Sequence, residues 1–168
     1  SEQTTTNYRQ EFAQIGMQIS DRLSADEWKD LYKKLINWDL KLNEADNEMH
    51  EMLRMQREEA NNMFMRFVKN NYEQWVNDAD NRPLISPDIF KKKIFPLLDE
   101  GEKVFFVVID NFRYDQWRMI QEVLADFYTF DSDDLYFSIL PTATQYARNA
   151  IFAGLMPLQI KKMFPALW

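Results

Sequence analysis

A three-helix bundle followed by a parallel α/β segment is the fold class this sequence predicts, and three observations carry it. Residues 1–82 hold one glycine, Gly16, and no proline, so little interrupts long helices. Within them apolar side chains recur at helical spacing. Past Pro83 an unbroken apolar run, Val104–Ile109, stops on Asp110, and a second short strand pattern, Tyr136–Leu140, precedes another helix.

Tyr8, Phe12, Ile15 and Ile19 lie four, three and four residues apart, one face of a first helix. Ser24 and Glu27 have the spacing of a capping box, in which each side chain satisfies the other's backbone N–H, and they open a second helix. Its stripe is Trp28, Leu31, Leu35, Trp38 and Leu42, a three-four alternation suited to shallow crossing angles. Asn43 and Asp46 mark a short break. The third helix is predicted to be very long, from about Ala45 to Asn77, roughly 50 Å at 1.5 Å per residue. Its apolar line holds Met49, Met52, Met63, Phe67 and Trp75, with polar gaps at Gln56 and Glu59. A helix that outruns its partners projects towards another domain or chain. Met-rich faces either make adaptable contacts or fill irregular core gaps. His50 is the single histidine and has no cysteine or second histidine near it, a poor start for a metal site. Glu58-Glu59 reads as a solvated face.

Asp78–Pro83 is rich in turn formers and sets a predicted boundary between a helical linker domain, 1–82, and a second domain, 83–168. Ser86 as N-cap and Pro87 at the first helical position restart a helix with Ile89, Phe90 and Ile94 on its face, which Pro96 kinks or ends. Lys91–Lys93 is either a phosphate patch or a solvated face. The run Val104–Ile109 does not alternate, so both faces should be covered, as in a parallel sheet. A helix with Trp117, Ile120, Val123, Leu124 and Phe127 inward then leads to the second strand, for which a right-handed crossover is the default. From Pro141 a further helix packs through Tyr146, Ala150, Phe152 and Ala153 and ends at Gly154.

Net charge is −7, of which −5 falls in residues 1–82 and −2 in the remainder. Such a chain lacks the basic footprint of a duplex nucleic-acid binder. No apolar run of about 18 residues or signal-peptide pattern is present, so no membrane span is predicted. The absence of cysteine fits a reducing cytoplasm. The first residue is Ser1 and the last residues are Phe164–Trp168, which suggests a piece of a longer protein.

Two short pieces carry the candidate chemistry. An Asp directly after an apolar strand lies at the sheet edge where ligands bind, and Asp110 has two open roles: capping the next helix, or coordinating a divalent ion. Thr142 and Thr144 lie where a helix begins, and one of them is expected as its N-cap. The other role for Thr144 is as a nucleophile on phosphorus, with helix N–H groups steadying the charge. Arg148, four residues on, can share its face and grip phosphate oxygens in two-point fashion, and Asn149 is a neutral substrate-binding candidate.

FFVVIDNFRYDQW followed by LPTATQYARNAIFAGLMP resembles the PglZ domain, a branch of the alkaline phosphatase superfamily. Together with the bundle ahead of it, the chain resembles PorX-type response regulators, which place a receiver domain and a three-helix bundle before PglZ. The resemblance implies the first strands and helices of an alkaline-phosphatase-like parallel α/β domain, incomplete in 83–168. It implies a phosphodiesterase with two zinc ions that acts on nucleotide-like phosphodiesters, including oligonucleotides, with Thr144 as nucleophile and Asp110 and Thr144 as metal ligands. It also implies two-component signalling that controls type IX secretion, a homodimer on activation, and a secretion-system or sigma-factor partner. The superfamily's remaining Asp and His ligands lie well downstream of the nucleophile, so the 168 residues alone are expected to be inactive. The alternatives are a non-catalytic signalling or dimerisation module and a phage-defence protein.

Overall fold

The computed structural model describes residues 2–20, 22–42 and 47–167. The predicted break at Asn43–Asp46 and the predicted start of the third helix at Ala45 therefore lie outside the described residues. In chain order the helices are α1 (Glu2–Gln18), α2 (Ala25–Lys41), α3 (Asn47–Asn77), α4 (Phe95–Asp99), α5 (Tyr114–Leu124), α6 (Thr144–Ala153) and α7 (Pro157–Met163). No helix among the described residues is long and apolar enough to cross a membrane. The chain divides into two compact units, residues 1–73 with 112–131, and residues 74–111 with 132–168.

The first unit is helical, and its core follows the predicted stripes. Ser24 Oγ accepts from the Glu27 N–H (3.2 Å) and Glu27 Oε2 from the Ser24 N–H (2.7 Å), the capping box expected at the start of α2. Tyr8, Ile15, Ile19, Trp28, Leu31, Leu35, Trp38 and Leu42 are all buried. On α3, Met49 and Phe67 are buried and Met52 and Met63 half-buried. The polar gap predicted at Gln56 is instead part of the core, because its amide has partners: it accepts from the Tyr8 hydroxyl (3.0 Å) and donates to the Phe12 carbonyl (2.8 Å). Glu59 is exposed, as predicted. Helix α5 packs on α2, with the Tyr114 ring 5.9 Å from Tyr32. Its predicted inward face is only partly covered: Trp117 and Leu124 are half-buried, while Ile120, Val123 and Phe127 are exposed.

In the second unit the restart after Pro83 is a short 3-10 turn, Ser86–Asp88, with Ile85 rather than Ser86 in the N-cap position. Ser86 is fully buried and its hydroxyl accepts from the Ile139 N–H (3.1 Å). A π-helical turn, Phe90–Ile94, then leads into α4, with the Phe95 N–H donating to the Phe90 carbonyl. Pro96 accounts for the widening, since it has no N–H to donate and its ring would press on the carbonyl four residues back. Gly101 (φ 84) closes α4 in the left-handed region that spares glycine strain, with Glu102 N–H on the Leu97 carbonyl and Gly101 N–H on that of Leu98. Lys91–Lys93 are exposed, and Lys93 pairs with Asp134 at 3.2 Å.

The predicted strands do not form among the described residues. Val104–Ile109 has no ladder partner, and Phe105 is 92% and Val107 77% exposed. At Tyr136–Leu140 one isolated parallel bridge is present, Ile85 to Phe137. The physical reason is non-local. A strand apolar on both faces needs neighbours for its N–H and C=O groups and covering layers above and below, and no described residues supply them. Without the strands there is no crossover unit here.

Candidate active site

Asp110 closes the apolar run and is followed by Asn111 in the left-handed region (φ 56), a conformation that asparagine tolerates better than most side chains. Asp110 Oδ1 accepts from the Asn111 N–H (3.2 Å). It does not cap α5. That helix has Arg113 at its N-cap, whose N–H donates to Gln116 Oε1 (3.0 Å).

At α6 neither threonine is the N-cap. Ala143 holds that position, no side chain caps the helix, and Thr144 is its first residue. The Tyr146 and Ala147 N–H groups both donate to the Ala143 carbonyl (2.9 Å each), so the N–H groups ahead of them stand at the open, positive end of the helix. Gly154 (φ 63) ends α6, as predicted.

Arg148 Nη1 lies 3.4 Å from Asp110 Oδ2, with the side chains 48% and 51% exposed. One turn later Phe152 packs against Phe106 (6.0 Å) and Phe90 (5.7 Å), and Phe90 against Phe106 (4.7 Å). The helix therefore lies along the apolar run by two contacts, Phe106–Phe152 and Asp110–Arg148. Thr144, Arg148 and Phe152 recur every four residues and form one stripe. Thr144 stands on it about 6 Å along the axis from Arg148. Asn149 is exposed and lies about 100° round the helix from Arg148, off that stripe.

Zinc takes four ligands, and the sequence-predicted donors are one carboxylate and one hydroxyl. Among the described residues no group of three or more His, Cys, Asp or Glu side chains is placed to hold a metal ion. The guanidinium beside Asp110 is a further competitor for its carboxylate. The residues present do not by themselves make a zinc site.

Sequence reasoning missed a second charged pair. Arg82 and Asp88, in what reads as linker and helix start, form a two-point ion pair with both side chains more than nine-tenths buried. The available signal was a charged residue on each side of the apolar Leu84–Ile85 pair, the two lying six positions apart.

Residues 1–76 match the PorX response regulator linker domain, and residues 89–168 match the BREX system PglZ alkaline phosphatase-like domain. The chain is thus similar to a PorX-type linker over its first part and to a PglZ segment over its second. Asp110, Thr144, Arg148 and Asn149 all fall within the PglZ segment, whereas α1, α2 and all but the last residue of α3 fall in the PorX linker. No curated protein matches the chain. The two families together fit a PorX-like regulator with an alkaline phosphatase-like part.

Proposed function

We propose that the PglZ segment belongs to a zinc-dependent phosphodiesterase acting on nucleotide-like phosphodiesters, within a cytoplasmic response regulator that controls type IX secretion. The observation that supports the reading is the α6 stripe: a hydroxyl at the open helix end, a guanidinium one turn on, and a carboxylate beside that guanidinium. In this reading Thr144 Oγ attacks phosphorus, its proton passing to the alkoxide that leaves on the opposite side, and water then cleaves the phosphothreonine ester to free the second product and restore the hydroxyl. Arg148 holds two non-bridging oxygens in its fork, and the first N–H groups of α6 steady the developing charge. Asn149 donates to the substrate. A metal bound at Asp110 would act as a Lewis acid on the phosphoryl group, and its remaining ligands must come from other residues than those described.

The same proposal includes a linker domain at 1–82 and a PglZ domain from 83, with Val104–Ile109 and Tyr136–Leu140 as parallel strands of the complete α/β domain. It also includes a homodimer on activation and a secretion-system or sigma-factor partner. In the full-length protein, Thr144→Ala is expected to cut hydrolysis of bis-p-nitrophenyl phosphate by at least roughly a thousandfold without moving the unfolding curve. Retained turnover overturns the nucleophile assignment. A second reading, a non-catalytic signalling or dimerisation module, is favoured by Met55 and Met65, exposed on an open groove of about 530 Å3 along α3. Wild-type protein inactive towards phosphodiesters in the presence of zinc selects that reading.

A further inference from the structure

Within the second unit, a buried polar brace joins the end of α3 to the segment that leads to Thr144. Arg82 Nε and Nη2 donate to the two carboxylate oxygens of Asp88 (3.0 and 2.7 Å), and Nη1 donates to the Trp75 carbonyl in the last turn of α3 (2.8 Å). The side chains are 7% and 8% exposed. Asp88 Oδ2 also accepts from the Ile85 N–H (3.3 Å), which fixes the backbone between the two charges. That backbone in turn holds the next segment: the Phe137 N–H donates to the Leu84 carbonyl (2.9 Å) and the Ile139 N–H to Ser86 Oγ (3.1 Å). The Trp75 ring lies 5.1 Å from Phe137. Ile139 is fully buried, and the chain reaches Thr144 five residues later.

A buried ion pair is an expensive way to fill space, since apolar side chains of similar volume often stabilise as well or better. Leucine or methionine cannot, however, take the Ile85 N–H and the Trp75 carbonyl in fixed directions. We propose that Arg82 and Asp88 are positioning residues: they fix the Leu84–Ser86 backbone, which fixes Phe137–Ile139 and so sets where the start of α6 stands. Its meaning for catalysis rests on Thr144 being the nucleophile; the geometric claim does not.

The test is residue-resolved hydrogen exchange on the 168-residue chain with the double variant Arg82→Met/Asp88→Leu and, separately, Ser86→Ala. The double variant is expected to stay folded with a somewhat lowered midpoint, since the Ile85 N–H and the Trp75 carbonyl lose their partners, and to exchange the Phe137, Ile139, Tyr146 and Ala147 amides roughly tenfold faster or more, with α1 and α2 unchanged. Ser86→Ala, the milder change, should give the same acceleration at Ile139, Tyr146 and Ala147. Wild-type protection at those amides in Ser86→Ala, or in a folded double variant, overturns the proposal. In the full-length enzyme the double variant should lower kcat with KM little changed. If the exchange changes appear while Thr144→Ala remains active, the brace stands and the catalytic reading falls. If exchange is unchanged while Thr144→Ala is dead, only the brace falls.

Discussion

In the helical unit every side chain of the Trp28–Leu42 stripe is buried, whereas in the other unit the run Val104–Ile109 leaves Phe105, Val107 and Ile109 largely in solvent. The side chains of the stripe and of the run are comparably apolar, so the hydrophobicity of those side chains does not separate them. What separates them is where the partner comes from. A stripe at helical period satisfies its own backbone inside the helix and asks neighbours only for apolar contact, which α1 and α3 supply. An unalternating strand asks for hydrogen-bonding neighbours and for two covering layers, and gains little until all are present.

That contrast is sharpest at Trp28, 4% exposed and wedged against Phe64 (5.2 Å) and Phe67 (6.0 Å). Trp28→Ala is expected to cost about 3–5 kcal/mol in urea unfolding, the largest single loss in the bundle. The Trp28 indole N–H is buried with no acceptor among the described residues, so Trp28→Phe should cost much less than Trp28→Ala. If the two variants lose equally, packing at this site is not what stabilises the unit.

The same contrast explains what the sequence made legible. The stripes of α1 and α2, the Ser24–Glu27 box and the Gly154 stop are local patterns, and each stands where its spacing puts it. Gln56 was opaque because its side-chain type argues for solvent, and only the arrival of Tyr8 and the Phe12 carbonyl from 40 or more residues away makes burial cheap. At the candidate site, the pairing of Arg148 with Asp110 joins residues 38 apart and no short-range signal announces it. Ala143 as N-cap was missed for the opposite reason. Two threonines flank it, and propensity favours either over alanine.

An intermediate effect is expected from pH. Burial pushes the Tyr8 hydroxyl up to about 12, against about 10 in an unfolded chain. The folded state therefore holds this proton more tightly, so its contribution to stability is fully present below about pH 10 and is lost as pH rises towards 12. Burial also raises Tyr32 and Tyr136, which act in the same direction. Tyr8→Phe should therefore reduce, without abolishing, the alkaline loss of stability in urea titrations taken from about pH 8 to 12. It should also cost about 1–3 kcal/mol at neutral pH, because Gln56 Oε1 is left buried without its donor. An unchanged alkaline slope would mean that Tyr8 is hydrated in the folded chain.

The smallest effect is expected where the sequence looks most core-like. Val107→Ala in the 168-residue chain should change stability by less than about 0.5 kcal/mol, because a side chain left 77% exposed loses little burial when shortened. The comparison breaks if this substitution costs more than about a kcal/mol, for then the run is covered in solution by another copy of the chain, and the loss should grow with protein concentration. In the full-length protein the proposed sheet reverses the expectation. There Val107 would sit in a strand covered on both faces, and the same substitution should cost at least about a kcal/mol. A full-length protein as indifferent to Val107→Ala as the 168-residue chain would leave the run outside any sheet. Asp110 would then lack the strand end on which the catalytic proposal places it.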